Sequence, residues 1–280
     1  MDGGILYIDK PAGMTSRDVD NALQRLFHTR RVGHLGTLDP FATGLLIVAV
    51  GEATKCLPFY EDEEKTYLAE LVLGVSTESG DLTGEEKESK PVPPLGKGEI
   101  ERVLSSFLGD YMQIPPMTSA TRMEGKHLYE LAHKGIEVER EAKKRYVHDI
   151  RFLGLEGNRL LFLSTVSKGT YIRTLGEDIA AKLGTVGHLS ALRRLKIGDI
   201  DVKKAIPLQE VDVSRLSSPY ELLPYKKVCL GAELSVKARN GMKLALGEKE
   251  ERLFVCDEEG KAIAVYEKEG PLYKVVRGIA

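Results

Sequence analysis

The stretch RVGHLGTLDPFATGLLIVAV, residues 31–50, carries a glycine-containing loop directly into a run of apolar residues. The run from Leu45 to Val50 has no polar position, so it predicts a strand buried on both faces. In the loop before it, glycines permit backbone conformations that other residues disfavour, and Pro40 biases Asp39 toward an extended conformation. The stretch therefore predicts a carboxylate on a rigid loop that is anchored by a buried strand.

Asp39 allows two interpretations. Asp-Pro dipeptides begin turns in many proteins, so the residue could serve the loop alone. Alternatively, it is a nucleophile, and a carboxylate that must stay ionised in a site without water needs a cation beside it. Arginine suits this role best, because its fork binds carboxylate at two points and keeps its charge at every working pH. The best candidate is Arg173, near the start of a predicted helix, although a surface ion pair with Glu177 is the alternative for that arginine.

The sequence outside this stretch predicts strands and helices from the period of its apolar residues and from its turn signals. The predicted strands are 4–10, 65–74, 146–155 and 160–167. One predicted helix begins after Thr15, and three others span 99–108, 128–133 and 169–184. Thr15 and Asp18 have the spacing of a helix cap, and the apolar face of that helix is expected to contain Val19, Leu23, Leu26 and Phe27. Thr170 is the expected cap of the last helix. Residues 75–98, which are polar and rich in Gly, Pro and acids, predict a long exposed connection.

The chain has 280 residues, a length that favours one large domain with a small one attached. From about Pro219 onward, short apolar runs alternate with turn signals at intervals of roughly ten residues, a pattern typical of a small β-barrel-like module. We therefore expect one domain over 1–218 and a second over 219–280.

The composition is that of an ordinary globular protein, with 42% hydrophobic and 29% charged residues. Its three cysteines lie far apart, with no CxxC or HExxH, so neither a disulfide framework nor a metal site is expected. The N-terminus lacks the pattern of a secretion signal, and the longest apolar run is too short to cross a bilayer. We expect a cytoplasmic protein that does not associate with membranes.

The net charge of −2 argues weakly against a polyanionic partner, but its distribution points the other way. Acids cluster at 61–64, 85–88 and 248–251, whereas bases cluster at 28–34, 143–148 and 192–196. The clusters predict a basic groove on an otherwise acidic molecule, although each one could instead be an ordinary solvated face. The order of residues 168–170 does not fit a phosphate-binding loop, and no GxSxG supports a serine hydrolase.

Eight stretches in a fixed order resemble the TruB family of tRNA pseudouridine synthases. They are GILYIDKPAGMTS, RVGHLGTLDPFATGLLIV, GEATK, KTYLAELVLG, SGDLTG, QIPP, GKHLYELA and SKGTYIRTL, within about residues 3–200. The resemblance implies an α+β fold, with a mixed, largely antiparallel central sheet flanked by helices. It also implies a small, β-rich PUA-like RNA-binding domain at the C-terminus.

The resemblance implies that the protein is an isomerase that flips uridine-55 out of the T-loop of tRNA and converts it to pseudouridine without a cofactor. Asp39 matches the catalytic aspartate, Tyr67 the tyrosine that stacks on the base, and Arg173 the arginine paired with the aspartate. His34 matches a histidine that acts where the uridine is displaced, and Leu192 falls near a position that packs the active site. The residues expected to contact substrate further include Lys10, Arg30, Arg31, Arg193 and Arg194, the arginines by gripping phosphate.

This chain departs from the family pattern at Thr118 and Arg122, where tyrosine and lysine are common, and residues 138–145 lack the usual prolines. We expect the T-arm of tRNA as partner and no obligatory protein partner. The alternatives are a related synthase that a guide RNA and partner proteins direct, and an RNA-binding folding factor whose catalysis is incidental. The sequence leaves open whether Asp39 attacks C1′, adds to C6 or takes a proton from the sugar.

Overall fold

The fold is given by a computed structural model that describes residues 3–117, 138–223 and 225–279, and the backbone alone at 122–123 and 126–127. Within these residues the strands are β1 (Gly3–Lys10), β2 (Val32–Leu35), β3 (Thr43–Gly51), β4 (Lys65–Leu73), β5 (Val75–Thr77), β6 (Glu86–Ser89), β7 (Gly109–Gln113), β8 (Arg122–Met123), β9 (Lys126–His127), β10 (Lys143–Glu156), β11 (Arg159–Val166), β12 (Gly187–Ile197), β13 (Ile200–Asp201), β14 (Ile206–Pro207), β15 (Lys226–Cys229), β16 (Arg252–Cys256), β17 (Ala262–Glu269) and β18 (Leu272–Gly278). The α-helices are α1 (Ser16–Leu26), α2 (Lys97–Ser105), α3 (Ile172–Lys182) and α4 (Ala232–Arg239). Short 3₁₀ helices span Glu52–Tyr60, Val202–Lys204, Leu208–Glu210, Val213–Arg215 and Pro219–Leu222.

The centre of the molecule is one mixed sheet with the strand order β14-β1-β3-β12-β4-β11-β10-β7. Strand β2 pairs with β3, and β13 pairs with β12. The pairs β1/β14 and β3/β12 are parallel, and the other pairs of this sheet are antiparallel. The predicted α+β fold with a largely antiparallel central sheet is therefore confirmed.

Strand β3 is buried on both faces, as its unbroken apolar sequence predicts. Leu45, Ile47 and Ala49 belong to one core cluster, and Leu46, Val48 and Val50 belong to another on the opposite face. Helix α1 covers the second face with Val19, Leu23 and Phe27. This double burial fixes the strand, and with it the loop that enters it at residue 39.

Helix α1 begins as predicted, because Thr15 and the side chain of Asp18 form a complete capping box. Leu26, however, is 47% exposed, so its predicted place on the apolar face is wrong. The predicted cap of α3 is also wrong, because Tyr171 occupies the N-cap position. The hydroxyl of Thr170 instead donates a hydrogen bond to the carbonyl of Ser167 at 2.9 Å.

Strand β12 is central to the sheet and is absent from the sequence prediction. It lies between β3 and β4, and its basic residues disguise a strand whose buried residues Leu189, Leu192 and Ile197 are apolar. Residues 75–98 are also not a wholly exposed connection, because β5 and β6 form a hairpin there and Asp81 is buried. The helix predicted over 128–133 lies outside the described residues.

The C-terminal part is β-rich, as predicted, with β15, β16, β17 and β18 forming a four-stranded sheet. Helix α4 packs on this sheet and is absent from the sequence prediction. Cys56 and Leu223 pack against Phe254, Val265 and Ile279, so an apolar cluster joins this sheet to the rest of the molecule. The boundary between 218 and 219 stays a prediction. None of the helices in the described ranges has the length and apolar character needed to cross a membrane.

Candidate active site

The loop that carries Asp39 is fastened to the turn between β1 and α1. The Ser16 hydroxyl accepts a hydrogen bond from the Leu38 amide at 2.9 Å and donates one to the Leu38 carbonyl at 3.2 Å. The Gly13 amide donates to the Pro40 carbonyl at 2.8 Å. These bonds hold the backbone on both sides of Asp39, so the point from which its side chain extends is fixed.

Lys10 supports this loop from beneath. Its side chain is fully buried, and its ammonium donates to the carbonyls of Met14 at 2.6 Å and Pro40 at 3.3 Å. Burial lowers the pKa of Lys10 to about 8, the Asp39 carboxylate opposes this shift and the guanidinium of Arg194 adds to it. The structure thus places this predicted substrate-binding residue inside the protein, under the loop.

Asp39 and Arg173 meet at two points. The Arg173 Nε donates to Oδ2 of Asp39 at 2.9 Å, and Nη2 donates to Oδ1 at 3.0 Å. Arg173 is held in turn by the Ser79 carbonyl, which accepts from Nη1 at 2.7 Å, and by the Asp81 carboxylate at 3.7 Å. Of the two interpretations of Arg173, the pairing with Asp39 is therefore the one that the structure contains.

The groups around Asp39 have opposite effects on its pKa. Burial raises the pKa of Asp39 above its ordinary value, and the neighbouring Asp81 carboxylate raises it further. The Arg173 guanidinium lowers the same pKa through its charge and its hydrogen bonds. Since the Arg173 side chain is 4% exposed and that of Asp39 is 32% exposed, the arginine is a buried support and the carboxylate keeps access to solvent.

A pocket of about 540 Å³ opens beside Asp39. His34, Tyr67 and Leu192 line it, and all three are residues that the sequence assigns to the site. Tyr67 lies on β4 and Leu192 on the neighbouring β12, where Ala69 pairs with Leu192 and Tyr67 with Arg194. Adjacent strands therefore supply an aromatic wall and an apolar wall to the same cavity.

The predicted basic cluster on β12 divides between two faces of the sheet. Side chains alternate along a strand, so Arg194 lies on the pocket side with Leu192, whereas Arg193 points away and forms a two-point pair with Asp9 at 3.0 and 2.7 Å. Arg194 is fully buried. The two arginines therefore do not act together as a surface grip on phosphate.

The second predicted basic pair, Arg30 and Arg31, lies away from the pocket. Arg31 forms an ion pair with Glu52, and its carbonyl accepts from the amide of Gly51 at the far end of β3. The eight steps from Thr43 to Gly51 correspond to roughly 26 Å along that strand. Neither arginine lines the pocket of Asp39, so any contact of this pair with RNA would lie outside it.

Two buried cations form the floor of the pocket. Arg194 Nε donates to the Leu45 carbonyl at 2.7 Å, and its Nη2 has no hydrogen-bond partner among the residues that the structure describes. Lys65, which is 6% exposed, donates to the carbonyls of Glu63 at 2.6 Å and Glu61 at 3.3 Å. Burial and the charge of Arg194 lower the pKa of Lys65 to about 8. Sequence reasoning missed Lys65, although a lysine at a buried position of an alternating strand is a usable signal.

Gln113 is a further residue that sequence reasoning missed. Its side chain is 1% exposed and bonds both backbone groups of Tyr171, donating to the carbonyl at 2.9 Å and accepting from the amide at 2.8 Å. Tyr171 is the N-cap of α3 and lines the pocket, two residues before Arg173. Gln113 therefore fixes the start of the helix that carries the arginine.

The arrangement suits a planar, polar ring with a sugar and phosphate attached. Tyr67 offers a face for stacking, Leu192 an apolar contact, and the basic residues Arg145 and Lys168 lie at the same cavity. The carboxylate of Asp39 stands at its wall, held by Arg173 and able to attack an electrophilic carbon.

Comparisons with known proteins identify the family that the chain resembles. The model of the "TruB family pseudouridylate synthase (N terminal domain)" matches residues 24–172, and that of the "tRNA pseudouridylate synthase B C-terminal domain" matches 173–218. The "tRNA pseudouridine synthase B" of Hydrogenovibrio crunogenus is 42% identical over 251 residues, which are 88% of this chain and 83% of that protein. Its counterpart of the same name from Oenococcus oeni is 37% identical over 291 residues, covering 98% and 97%.

Solved structures share the fold. The "Structure of H/ACA RNP bound to a substrate RNA containing 2'-deoxyuridine" contains a chain with a TM-score of 0.73 and 21% identity, covering 99% of this chain and 85% of that one. The "Crystal Structure of a Cbf5-Nop10-Gar1 Complex" gives a TM-score of 0.73 at 22% identity, with the same coverage. At such identities the likeness speaks for the fold alone.

Proposed function

Because the chain belongs to the TruB family of pseudouridine synthases and is a tRNA pseudouridine synthase, we propose that it isomerises uridine-55 in the T-loop of tRNA with Asp39 as the nucleophile. The single observation that carries this proposal is the two-point pair of Asp39 with Arg173 at the wall of a 540 Å³ pocket. The buried arginine favours the ionised carboxylate against the effects of burial and Asp81 and holds it in one pose, and the pocket gives it a substrate-sized space to act in.

The target base must leave its stack before Asp39, which lines a pocket, can reach it. Unstacking costs a few kcal/mol, and an aromatic face in the pocket offsets part of that cost by stacking on the extruded base. Tyr67 supplies such a face, being 7% exposed and lining the pocket on a central strand. Leu192, on the adjacent strand, adds an apolar contact to the same pocket.

One carboxylate suffices for this isomerisation. Glycosidases that hydrolyse their substrates use two, because one assists departure and the other activates water or attacks. Here the bond from C1′ to N1 breaks, the uracil stays in the pocket and turns, and a new bond forms from C1′ to C5. N1 gains a proton and C5 loses one, so atoms and charge balance without water or a cofactor.

The cations near the pocket favour an RNA ligand. Arg145 and Lys168 lie at the pocket, and residues 143–145 form a basic run along β10. Contacts of such residues with phosphates release counterions, so binding weakens as salt rises. The similarity to the "tRNA pseudouridine synthase B" of Oenococcus oeni, which covers 97% of that protein, favours action without a guide.

The decisive experiment combines a purified protein with a bare T-arm hairpin. Pseudouridine is measured by mass spectrometry of the digested product, with Asp39→Asn as the matched inactive variant. We expect stoichiometric conversion at the position of uridine-55 and none with the variant. No product on the hairpin but product after adding cell extract would contradict stand-alone action, and modification at another uridine would contradict the assigned position.

A further inference from the structure

Asp20 lies behind the pocket and has no part in the chemistry assigned above. It is on helix α1, its side chain is 2% exposed, and its Oδ2 lies 2.9 Å from Nδ1 of His34. Its Oδ1 is buried and has no hydrogen-bond partner among the described residues. Arg17, the nearest cation, lies 3.5 Å from Oδ2 and has a side chain that is 66% exposed.

A buried carboxylate oxygen without a partner costs free energy and requires an explanation. Packing does not require a carboxylate at position 20, because the neighbouring buried positions of α1, Val19 and Leu23, are apolar. The strong contact of Asp20 is with a histidine of the pocket wall. The cost of burying the carboxylate therefore points to a role that acts through His34.

His34 connects this carboxylate to the cavity. Its ring is 17% exposed, its Nδ1 faces Asp20, and its Nε2 lies 3.2 Å from the hydroxyl of Thr37, another residue of the pocket. A carboxylate only accepts hydrogen bonds, so Nδ1 must carry the proton. In the neutral ring Nε2 is then an acceptor, which the Thr37 hydroxyl occupies until an N–H or O–H group of the nucleotide takes its place.

We propose that Asp20 is a positioning residue that fixes the ring and the Nδ1–H tautomer of His34, so that Nε2 presents a hydrogen-bond acceptor to the incoming nucleotide. An acceptor takes an N–H or O–H group of the uridine, such as a base N–H or a sugar hydroxyl, and not a phosphate oxygen. The proposal rests on the proposed function, because it assigns Asp20 to the same pocket.

The first test is a double-mutant cycle in kcat/KM with Asp20→Leu and His34→Ala on the T-arm hairpin. Asp20→Leu alone should lower kcat/KM by about tenfold, if the lower end of the loss for the hydrogen-bond partner of a metal-binding histidine sets the scale for a substrate-binding one. In the His34→Ala background the same change should alter kcat/KM less than twofold. An undiminished loss in that background, or no loss in the wild type, would overturn the proposal.

A matched control separates positioning from destabilisation of α1. Asp18→Ala removes the capping box at the start of the same helix, and the carboxylate of Asp18 lies outside the pocket. It should lower Tm and leave kcat/KM unchanged at a temperature where both variants are folded. If it reduced kcat/KM as much as Asp20→Leu, the effect of Asp20 would be one of stability and the proposal would be wrong.

A second readout needs neither folding of the leucine variant nor any activity. In protein labelled with ¹⁵N-histidine, the two ring nitrogens report their protonation by NMR. His34 should have a protonated Nδ1 in the wild type and a mixture of tautomers in Asp20→Asn. A protonated Nε2 with a bare Nδ1 in the wild type would refute the proposal, and this measurement stands even if the enzyme acts on a different uridine.

The dependence of hairpin binding on salt identifies the group that His34 meets. Loss of a phosphate contact lowers the slope of log K against log salt by about one, whereas loss of an acceptor for an N–H or O–H leaves it unchanged. We expect His34→Ala to weaken binding with an unaltered slope. A slope lowered by about one would mean that His34 is a cation on phosphate, contrary to the proposal.

Discussion

The guanidinium of Arg173 grips the carboxylate of Asp39 at 2.9 and 3.0 Å across 134 positions of the chain. The carboxylate comes from the loop before β3 and the guanidinium from the first turn of α3. Both ends are held by other groups, so the pair is rigid without a ligand. A carboxylate arranged in this way needs little reorganisation to act as the proposed nucleophile when substrate arrives.

Asp39→Asn should abolish turnover while leaving binding almost intact. The amide has nearly the same shape, but it is neutral and a poor nucleophile, so we expect kcat to fall by roughly four orders of magnitude or more. Binding of the T-arm hairpin, measured by fluorescence anisotropy, should stay within a few fold. Asp110→Asn is the control, because its side chain is 61% exposed and pairs with Lys144 at the surface. Turnover above one hundredth of the wild-type value would exclude Asp39 as the nucleophile.

Arg173→Lys should impair kcat severely although it keeps the positive charge. A lysine ammonium cannot replace two parallel N–H donors together with the contact to the Ser79 carbonyl, so we expect a loss on the order of 10²- to 10³-fold. The matched control is Arg159→Lys, which alters a pair with Glu70 at an exposed position and should be neutral. Single-turnover kinetics decide the matter, and a kcat within threefold of wild type would show that the charge alone suffices.

Much of this site is predictable from the sequence because its parts are local or chemically distinctive. The loop of Asp39 and the buried strand behind it follow from glycines, a proline and an unbroken apolar run. The need of a buried carboxylate for a cation makes Arg173 the best candidate, and the structure decides between Asp39 and Glu177 as its partner. Such reasoning misses which face of a strand each residue occupies. Arg193 and Arg194 look alike until β12 is recognised and its side chains are assigned to its two faces.

The other omissions have a similar cause. Asp81 belongs to a polar segment whose composition indicates exposure, yet the hairpin of β5 and β6 brings it to Arg173. Gln113 contacts Tyr171 across 58 positions, and no local pattern marks a glutamine that bonds distant backbone. Lysine is usually a surface residue, so Lys65 is overlooked unless the alternation of β4 is used to place it, and the fold buries it.

Gln113→Met should weaken both the fold and the catalytic step. Methionine fills the volume but leaves the amide and carbonyl of Tyr171 without their buried partners, for which we expect a loss of about 2–4 kcal/mol in the free energy of unfolding. Because Tyr171 begins α3, kcat should fall more than KM rises at a temperature where the variant is folded. Urea unfolding and steady-state kinetics measure the two effects. Gln209→Met, at an exposed position, is the control, and an unchanged kcat in a destabilised Gln113 variant would limit the residue to a structural role.

Lys65 should make stability rise with pH above neutrality. Burial and the charge of Arg194 lower its pKa in the folded protein from 10.5 to about 8, so between these values the unfolded chain binds more protons than the folded one. The free energy of unfolding therefore increases from pH 8 to 10.5 by at most about 3 kcal/mol from this residue, and the gain is lost as pH falls through 8. Relative to Lys65→Met, the wild type should gain stability over this range in urea unfolding, since other titrating groups cancel between the two proteins. Lys97→Met, at a position whose side chain is 73% exposed, should show no such trend, and a difference between wild type and Lys65→Met that is constant from pH 7 to 10 would mean that the lysine is charged in the folded protein throughout.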